Sequence, residues 1–285
     1  MNRILVVPNL NADRGFKVGE LVVNKLVALG MTPCILSEGD IPEIAGATYF
    51  KEIPEDTELI VAVGGDGTVI DAAQIAIELD IPLLGVNAGK VGYLATVDPE
   101  NLDLLSGLCS GEYKCQEKML LCVKKHTSYG DDEHFERLAL NDVVISHDNY
   151  FGISDFRVEN GHGDHVEYRA DGVIVSTPAG STAYSLSAGG PVISHSLDCI
   201  MLTPVCPHSF FNRAIVYGAD EMIKISNGAE RALNVSIDGR LVSKLLLGES
   251  CTVKRSEKRL KMINFTEVNV FSTLSKKIKL LHDSV

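Results

Sequence analysis

The segment from Leu59 to Thr68, Leu-Ile-Val-Ala-Val-Gly-Gly-Asp-Gly-Thr, constrains the fold more than any other part of the chain. Leu59 to Val63 is apolar without alternation, the pattern of a strand buried on both faces. Val69, Ala72, Ala73, Ala76 and Ile77 then fall on one helical stripe. Strand, glycine-rich turn and helix in direct succession are the βα joint of an open α/β sheet, whose ligands lie outside the carboxyl ends of the strands.

The neighbouring sequence repeats this rhythm. Arg3 to Pro8 is an apolar run, Val18, Leu21, Val22, Leu26 and Leu29 make a helical stripe, and Cys34 to Leu36 and Pro82 to Val86 are further strand candidates. Alternating strands and helices imply a mostly parallel sheet covered by helices. From about residue 117 the texture becomes β-rich, with runs at Leu138 to Ser146, Gly172 to Thr177, Met222 to Ser226, Leu233 to Asp238 and Ser250 to Lys254. The expected architecture is therefore α/β plus all-β: a mostly parallel α/β domain over 1–116 and a β-rich, sandwich-like domain over 117–267. A helical stripe of Phe271, Leu274, Ile278 and Leu281 is expected to pack 268–285 back on the first domain.

Charge and apolar run lengths narrow the partners. The 26 Lys and Arg against 38 Asp and Glu leave a net charge of −12, which argues against a surface for nucleic acid. No apolar run approaches the roughly 18 residues of a membrane span, so no membrane partner is expected. The short apolar run after Arg3 lacks a small-residue cleavage site, and the expected location is cytoplasmic. The seven Cys include no C-x-x-C pair, so neither a disulfide framework nor a zinc ribbon is expected. Asp131, Asp132 and Glu133 read as a solvated hairpin tip, and Lys254, Arg255, Lys258, Arg259 and Lys261 as the wet face of a hairpin. His162 and His165 are flanked by glycines and read as a hairpin loop with no metal role.

The turn carries the chemistry. Its glycines let the backbone approach a phosphate, and the amides of the helix start favour negative charge. It ends in no Gly-Lys-Ser/Thr, and Ile70 stands where a G-x-G-x-x-G run needs its last glycine. Asp66 is the informative departure. A carboxylate among phosphate-binding amides repels phosphate unless it holds a metal ion or accepts the proton of a reacting hydroxyl; the plain alternative is a helix cap. Gly85 to Leu94 supplies a second glycine-rich turn after the next strand. Arg169 to Pro191 is the densest run of hydroxyl and small residues, whose hydrogen-bonding groups a polar ligand would satisfy.

These blocks together resemble the ATP-NAD kinase family. The Gly-Gly-Asp-Gly-Thr turn, the Asn87 to Leu94 block, Asn141-Asp142, Ala170-Asp171-Gly172 and the Thr177 to Pro191 run occur in the family's order. The first turn is shared with diacylglycerol and sphingosine kinases; the Thr177 to Pro191 run is the specific one. The resemblance implies an NAD kinase/diacylglycerol kinase-like fold, with dinucleotide binding in the β-rich domain. It implies transfer of the γ-phosphoryl group of ATP to the 2′-hydroxyl of the adenosine ribose of NAD, giving NADP, with Mg²⁺ or another divalent metal required. Polyphosphate as a second donor stays open, as does NADH as acceptor.

The resemblance assigns the catalytic base to Asp66, with Gly65, Gly67 and Thr68 beside it at the phosphates. Asn87, Asn141, Asp142, Arg169, Asp171, Ala179, Thr182, Ala183, Tyr184 and Ser187 are the further binding positions. Asp142 stands where the family has Glu. The metal is expected on nucleotide oxygens, with no protein ligand assigned. Ser-Ile-Asp238-Gly239 resembles a late family motif, and His208 lies in a family Pro-His-Ser. A homodimer or homotetramer is implied. Two other readings stand beside this one: a lipid kinase sharing the turn, and a non-catalytic regulator that binds NAD(H).

Overall fold

The computed structural model describes residues 2–9, 17–37, 43–89, 92–127, 135–148, 153–208, 211–266 and 274–275. The acidic stretch at 131–133 lies outside them, as do Phe271, Ile278 and Leu281 of the C-terminal stripe. The chain divides into two compact units, Met1–Glu117 with Leu260–Val285, and Lys118–Arg259.

The first unit is the α/β part. Its elements are β1 (Arg3–Pro8), α1 (Lys17–Ala28), β2 (Thr32–Leu36), β3 (Thr48–Phe50), β4 (Thr57–Gly64), α2 (Asp66–Leu79) and β5 (Leu83–Asn87). The strands pair in parallel in the order β5-β4-β1-β2-β3. The central strands are apolar throughout because both faces are covered, and Ile4, Leu59, Val61, Val63, Leu84 and Val86 are buried with Val22, Val23 and Leu26 of α1. α2 turns Val69, Ala72, Ala73, Ala76 and Ile77 inward. It ends at Asp80, which adopts a left-handed conformation, φ 54°. A 3₁₀ segment, Pro99–Ser106, leads into a single helical turn at Gly107–Ser110.

The second unit is built of antiparallel strands. In chain order they are β6 (Lys114–His126), β7 (Glu136–Ala139), β8 (Asp142–His147), β9 (Ser154–Asn160), β10 (His165–Ala170), β11 (Gly172–Ser176), β12 (Cys199–Val205), β13 (Ile215–Gly218), β14 (Met222–Asn227), β15 (Leu233–Ile237), β16 (Arg240–Leu245) and β17 (Ser250–Asn264). Six strands form one sheet in the order β13-β12-β11-β8-β15-β16, and β10-β9-β14-β17 form another path. Alternate residues of both face a shared core, Val143, Ile145, Val173, Val175 and Val235 from one and Phe156, Val158, Tyr168, Ile223 and Val253 from the other. This is sandwich packing, in which each strand shows one face to the core. The last residues of β17 belong to the first unit, where Met262 pairs in parallel with Leu83 of β5.

Three readings of the sequence change. Leu138 to Ser146 is two strands rather than one, broken at Leu140 and Asn141, where backbone groups leave the ladder for side-chain partners described below. The basic residues from Lys254 to Lys261 lie along β17, a continuous strand, and not on a hairpin. Arg255 and Arg259 are paired there with Asp198, and Arg255 also with Asp220. His162 falls in the β9–β10 hairpin loop, where Gly163 takes φ 90°, but His165 is the first residue of β10, paired with Glu159, and not part of the loop. No helix among the described residues is long and apolar enough to cross a membrane.

Candidate functional site

In the first unit three strand ends come level. Gly64 pairs with Asn87 across β4 and β5, Pro8 pairs with Val63, and the Asn9 amide donates to the Val63 carbonyl, 2.9 Å. Both glycine-rich turns therefore leave the sheet side by side. Gly65 is the N-cap of α2 in extended conformation, and Asp66 is the first residue of the helix. Gly65 and Gly67 have open space where a Cβ would stand, so their backbone is accessible to a ligand.

Thr68 is buried, and its hydroxyl folds back over Gly64, where a Cβ would overlap it. That hydroxyl accepts a hydrogen bond from Asn9 Nδ2, 2.8 Å. Thr68 thus ties the helix start to the end of β1. Asn9 was not singled out from the sequence. The signal available was topological, because it follows the strand that neighbours β4.

Asp66 is held from the other turn. Its Oδ2 accepts the amide of Tyr93 and its Oδ1 the amide of Leu94, each at 2.9 Å. The segment carrying these amides folds back over β5, and Gly85 permits it. A Cβ there would lie 2.8 Å from Ala95 Cα and from the Leu94 carbonyl oxygen. Thr96 and Val97 donate to the Gly85 carbonyl, and Asn87 closes the loop with Gly89 N on its Oδ1 and Asp98 on its Nδ2. With one N–H on each oxygen, the carboxylate is fixed in direction and keeps further lone pairs to accept another proton. Burial, and then the charge of Asp66, push the Tyr93 phenol up, so that ring stays neutral.

The second unit gathers most of the remaining positions. Asn141 is half-buried and Asp142 is buried at the start of β8, opposite Ser176 of β11. Thr177 follows β11 and clamps this start. Its hydroxyl donates to the Leu140 carbonyl, 2.6 Å, and its amide to the Asn141 carbonyl, 2.9 Å. Gly180 passes so close that a Cβ would overlap the Asn141 carbonyl oxygen and lie 2.8 Å from Asn141 Cα. Ala179 is buried, Thr182 and Ala183 are half-buried, and Tyr184 and Ser187 are exposed.

Asp142 accepts a hydrogen bond from the Tyr184 amide, yet burial first, and the charge of Asp238 second, push its carboxyl up to about 7. Asp171 is half-buried in the turn between β10 and β11. The Tyr184 phenol is pushed up by burial and then by the charges of Cys206, Asp171 and Asp142. Arg169 is exposed, and its carbonyl accepts the amide of His208, 2.7 Å. Cys206, in a left-handed conformation at φ 45°, and Asp238 were not assigned from the sequence as contacts.

An acidic side chain in a glycine-rich turn at the carboxyl end of a parallel strand fits the class of nucleotide-binding α/β phosphotransferases. Comparison with known proteins makes this specific. Residues 45–113 match the ATP-NAD kinase N-terminal domain, and residues 140–265 match the ATP-NAD kinase C-terminal domain. A protein of Geotalea daltonii named NAD kinase is 34% identical over 284 residues, covering 98% of this chain and 99% of that one. Among solved structures, an NAD kinase from Archaeoglobus fulgidus in complex with ATP is 26% identical with a TM-score of 0.73, covering 96% of this chain and 98% of that one. A yeast NADH kinase complexed with NADH has a TM-score of 0.83 at 21% identity, over 98% of this chain and 88% of that one. The chain belongs to the ATP-NAD kinase family.

Proposed function

We propose that the chain is an NAD kinase in which Asp66 serves as general base toward the 2′-hydroxyl of the adenosine ribose of NAD. The observation that carries this reading is the fixed carboxylate: both Asp66 oxygens are aimed by the amides of Tyr93 and Leu94, at the level where the strand ends open. The cap position of α2 is taken by Gly65, and the Asp66 carboxylate accepts its hydrogen bonds from the neighbouring turn.

The reaction balances simply. The hydroxyl oxygen attacks the γ-phosphorus of ATP, the bond from that phosphorus to the bridging oxygen breaks, and ADP departs with the electron pair. The hydroxyl proton passes to Asp66. Phosphoryl transfer is governed by position and charge more than by proton removal, so the rigid hold on Asp66 matters as much as its basicity. Gly65 and Gly67 offer backbone amides at the N-terminus of the 14-residue helix α2 for the donor's phosphates. Asn141, Asp142, Asp171 and the Thr182 to Ser187 turn are the acceptor's binding groups in this reading.

Mg²⁺ or another divalent ion would supply charge neutralisation on the phosphates. Among the described residues no three His, Cys, Asp or Glu converge, and the ion would sit on nucleotide oxygens. An assembly of like chains in the cytoplasm completes the reading. Exposed Leu241, Val242, Leu246 and Leu247, on and after the edge strand β16, support the assembly.

One incubation tests the activity. Purified protein with Mg²⁺, ATP and NAD should yield NADP, read by a coupled NADP-specific dehydrogenase. Phosphorylated diacylglycerol in a parallel incubation would point to a lipid kinase, and NAD binding without product to a regulator.

A further inference from the structure

The β15–β16 hairpin ends in a two-residue loop, since Ile237 pairs with Arg240. Asp238 and Gly239 take φ 48° and 81°, the two positive values of a type I′ turn. Turn chemistry alone would explain an Asp-Gly pair. It does not explain where the side chain goes. Asp238 Oδ2 accepts the amide of Leu140, 2.9 Å, and Oδ1 accepts the amides of Asn141 and Asp142, 2.7 and 3.1 Å. In return the Asp238 amide donates to the Asp142 carbonyl, 3.0 Å. Three consecutive amides thus converge on one carboxylate at the break between β7 and β8.

This arrangement has a cost. Burial pushes the Asp238 carboxyl up, and its charge opposes ionisation of Asp142 beside it. A turn that needed only positive φ would be served by Asn, which favours the same conformation without a charge. A fully ionised carboxylate is the one side chain of that length with acceptors on both arms, and three amides need both.

We infer that Asp238 is a positioning residue for the acceptor: its carboxylate holds the Leu140–Asp142 backbone so that Asn141 and Asp142 are presented to the adenosine end of the dinucleotide. The inference rests on the reading of Asn141 and Asp142 given under Proposed function. Asp238 acts through the backbone of these two residues and need not touch the ligand.

Asp238→Asn is the decisive variant, because Asn-Gly preserves the turn while replacing one acceptor arm by an NH₂ group that faces amide donors. Asp238→Gly removes the carboxylate entirely and relaxes the left-handed backbone, and serves where the Asn variant folds poorly. Binding of NAD and of ATP is measured by calorimetry on the full-length wild type and both variants, with KM and kcat alongside. The expected result is a loss of NAD affinity of about tenfold or more in both variants, as Asn141 and Asp142 lose the backbone hold that presents them. KM for NAD should rise correspondingly, with ATP affinity and kcat within about twofold of wild type. NAD affinity unchanged in Asp238→Asn would assign the residue to the turn alone and overturn the inference. Equal loss of NAD and ATP binding, together with a collapsed melting temperature, would overturn it as well. Wild-type protein that binds NAD and yields no NADP would refute the activity while leaving the affinities to decide the positioning role.

Discussion

Gly92 lies against the carboxylate of Asp66: a Cβ on Gly92 would overlap Asp66 Oδ1 and stand 2.8 Å from its Cγ. Glycine is required there by the close approach of the Asp66 carboxylate. Gly92→Ala therefore displaces Asp66 without touching its chemistry. The expected outcome is a fall in kcat of about 10²-fold, the order that follows from a misplacement near 1 Å. Melting temperature should stay within a few degrees of wild type. A variant with ordinary kcat would show that the hold on Asp66 is not needed for turnover.

Asp66→Asn keeps the size of the side chain and a carbonyl acceptor for one of the two amides, and it removes the proton acceptor that the proposed reaction needs. Turnover should drop about 10²- to 10⁴-fold, while calorimetry finds NAD and ATP still bound. Near-normal turnover would remove Asp66 from the role of base.

The joint that holds Asp66 is readable from sequence because it is contiguous: Leu59 to Thr68 carries strand, turn and helix start in one stretch, and the structure has β4, turn and α2 there. Its supports are not contiguous. Asn9 reaches Thr68 across 59 residues, and Asp238 reaches Leu140 across 98, so no local pattern announces either. The break between β7 and β8 is hidden for the same reason. Leu138 to Ser146 is apolar enough to read as one strand, and only the distant carboxylate and Thr177 make an interruption favourable. β3 was missed because three residues, half-buried or exposed, at a sheet edge carry too little periodicity to count. The 3₁₀ segment at Pro99–Ser106 buries only Leu105, so it shows no apolar stripe.

Gly180→Ala tests the other clamp. Its Cβ would overlap main-chain atoms of Asn141, which the Thr177 bonds hold in place. Neither side can yield cheaply, and overpacking of this kind costs about 1–3 kcal/mol or more. The expected outcome is a lower melting temperature together with weakened NAD binding. Gly65→Ala is the control, since open space surrounds that position. It should melt like the wild type, and equal melting temperatures for all three proteins would show that the close approach of Gly180 to Asn141 is not required.

Asp142 makes stability depend on pH. Its carboxyl sits near 7 in the folded protein, raised first by burial and next by Asp238, against an ordinary value of 3.8. Between those values the folded chain holds a proton that the unfolded chain has released. Stability contributed by this group is therefore fully present below about pH 4 and is lost as pH rises toward 7, after which it changes no further. The sign is opposite to that of an ion-paired carboxylate. Asp142→Asn cannot release a proton, and it also removes the like charge that faces Asp238. Relative to the wild type, the variant should thus gain stability as pH climbs from 5 to 8, by an amount on the order of a few kcal/mol. Melting curves of both proteins at matched ionic strength across that range check it. A difference between them that stays constant with pH would mean that Asp142 ionises in the folded state as it does in the unfolded chain, and that Asp238 does not bear on it.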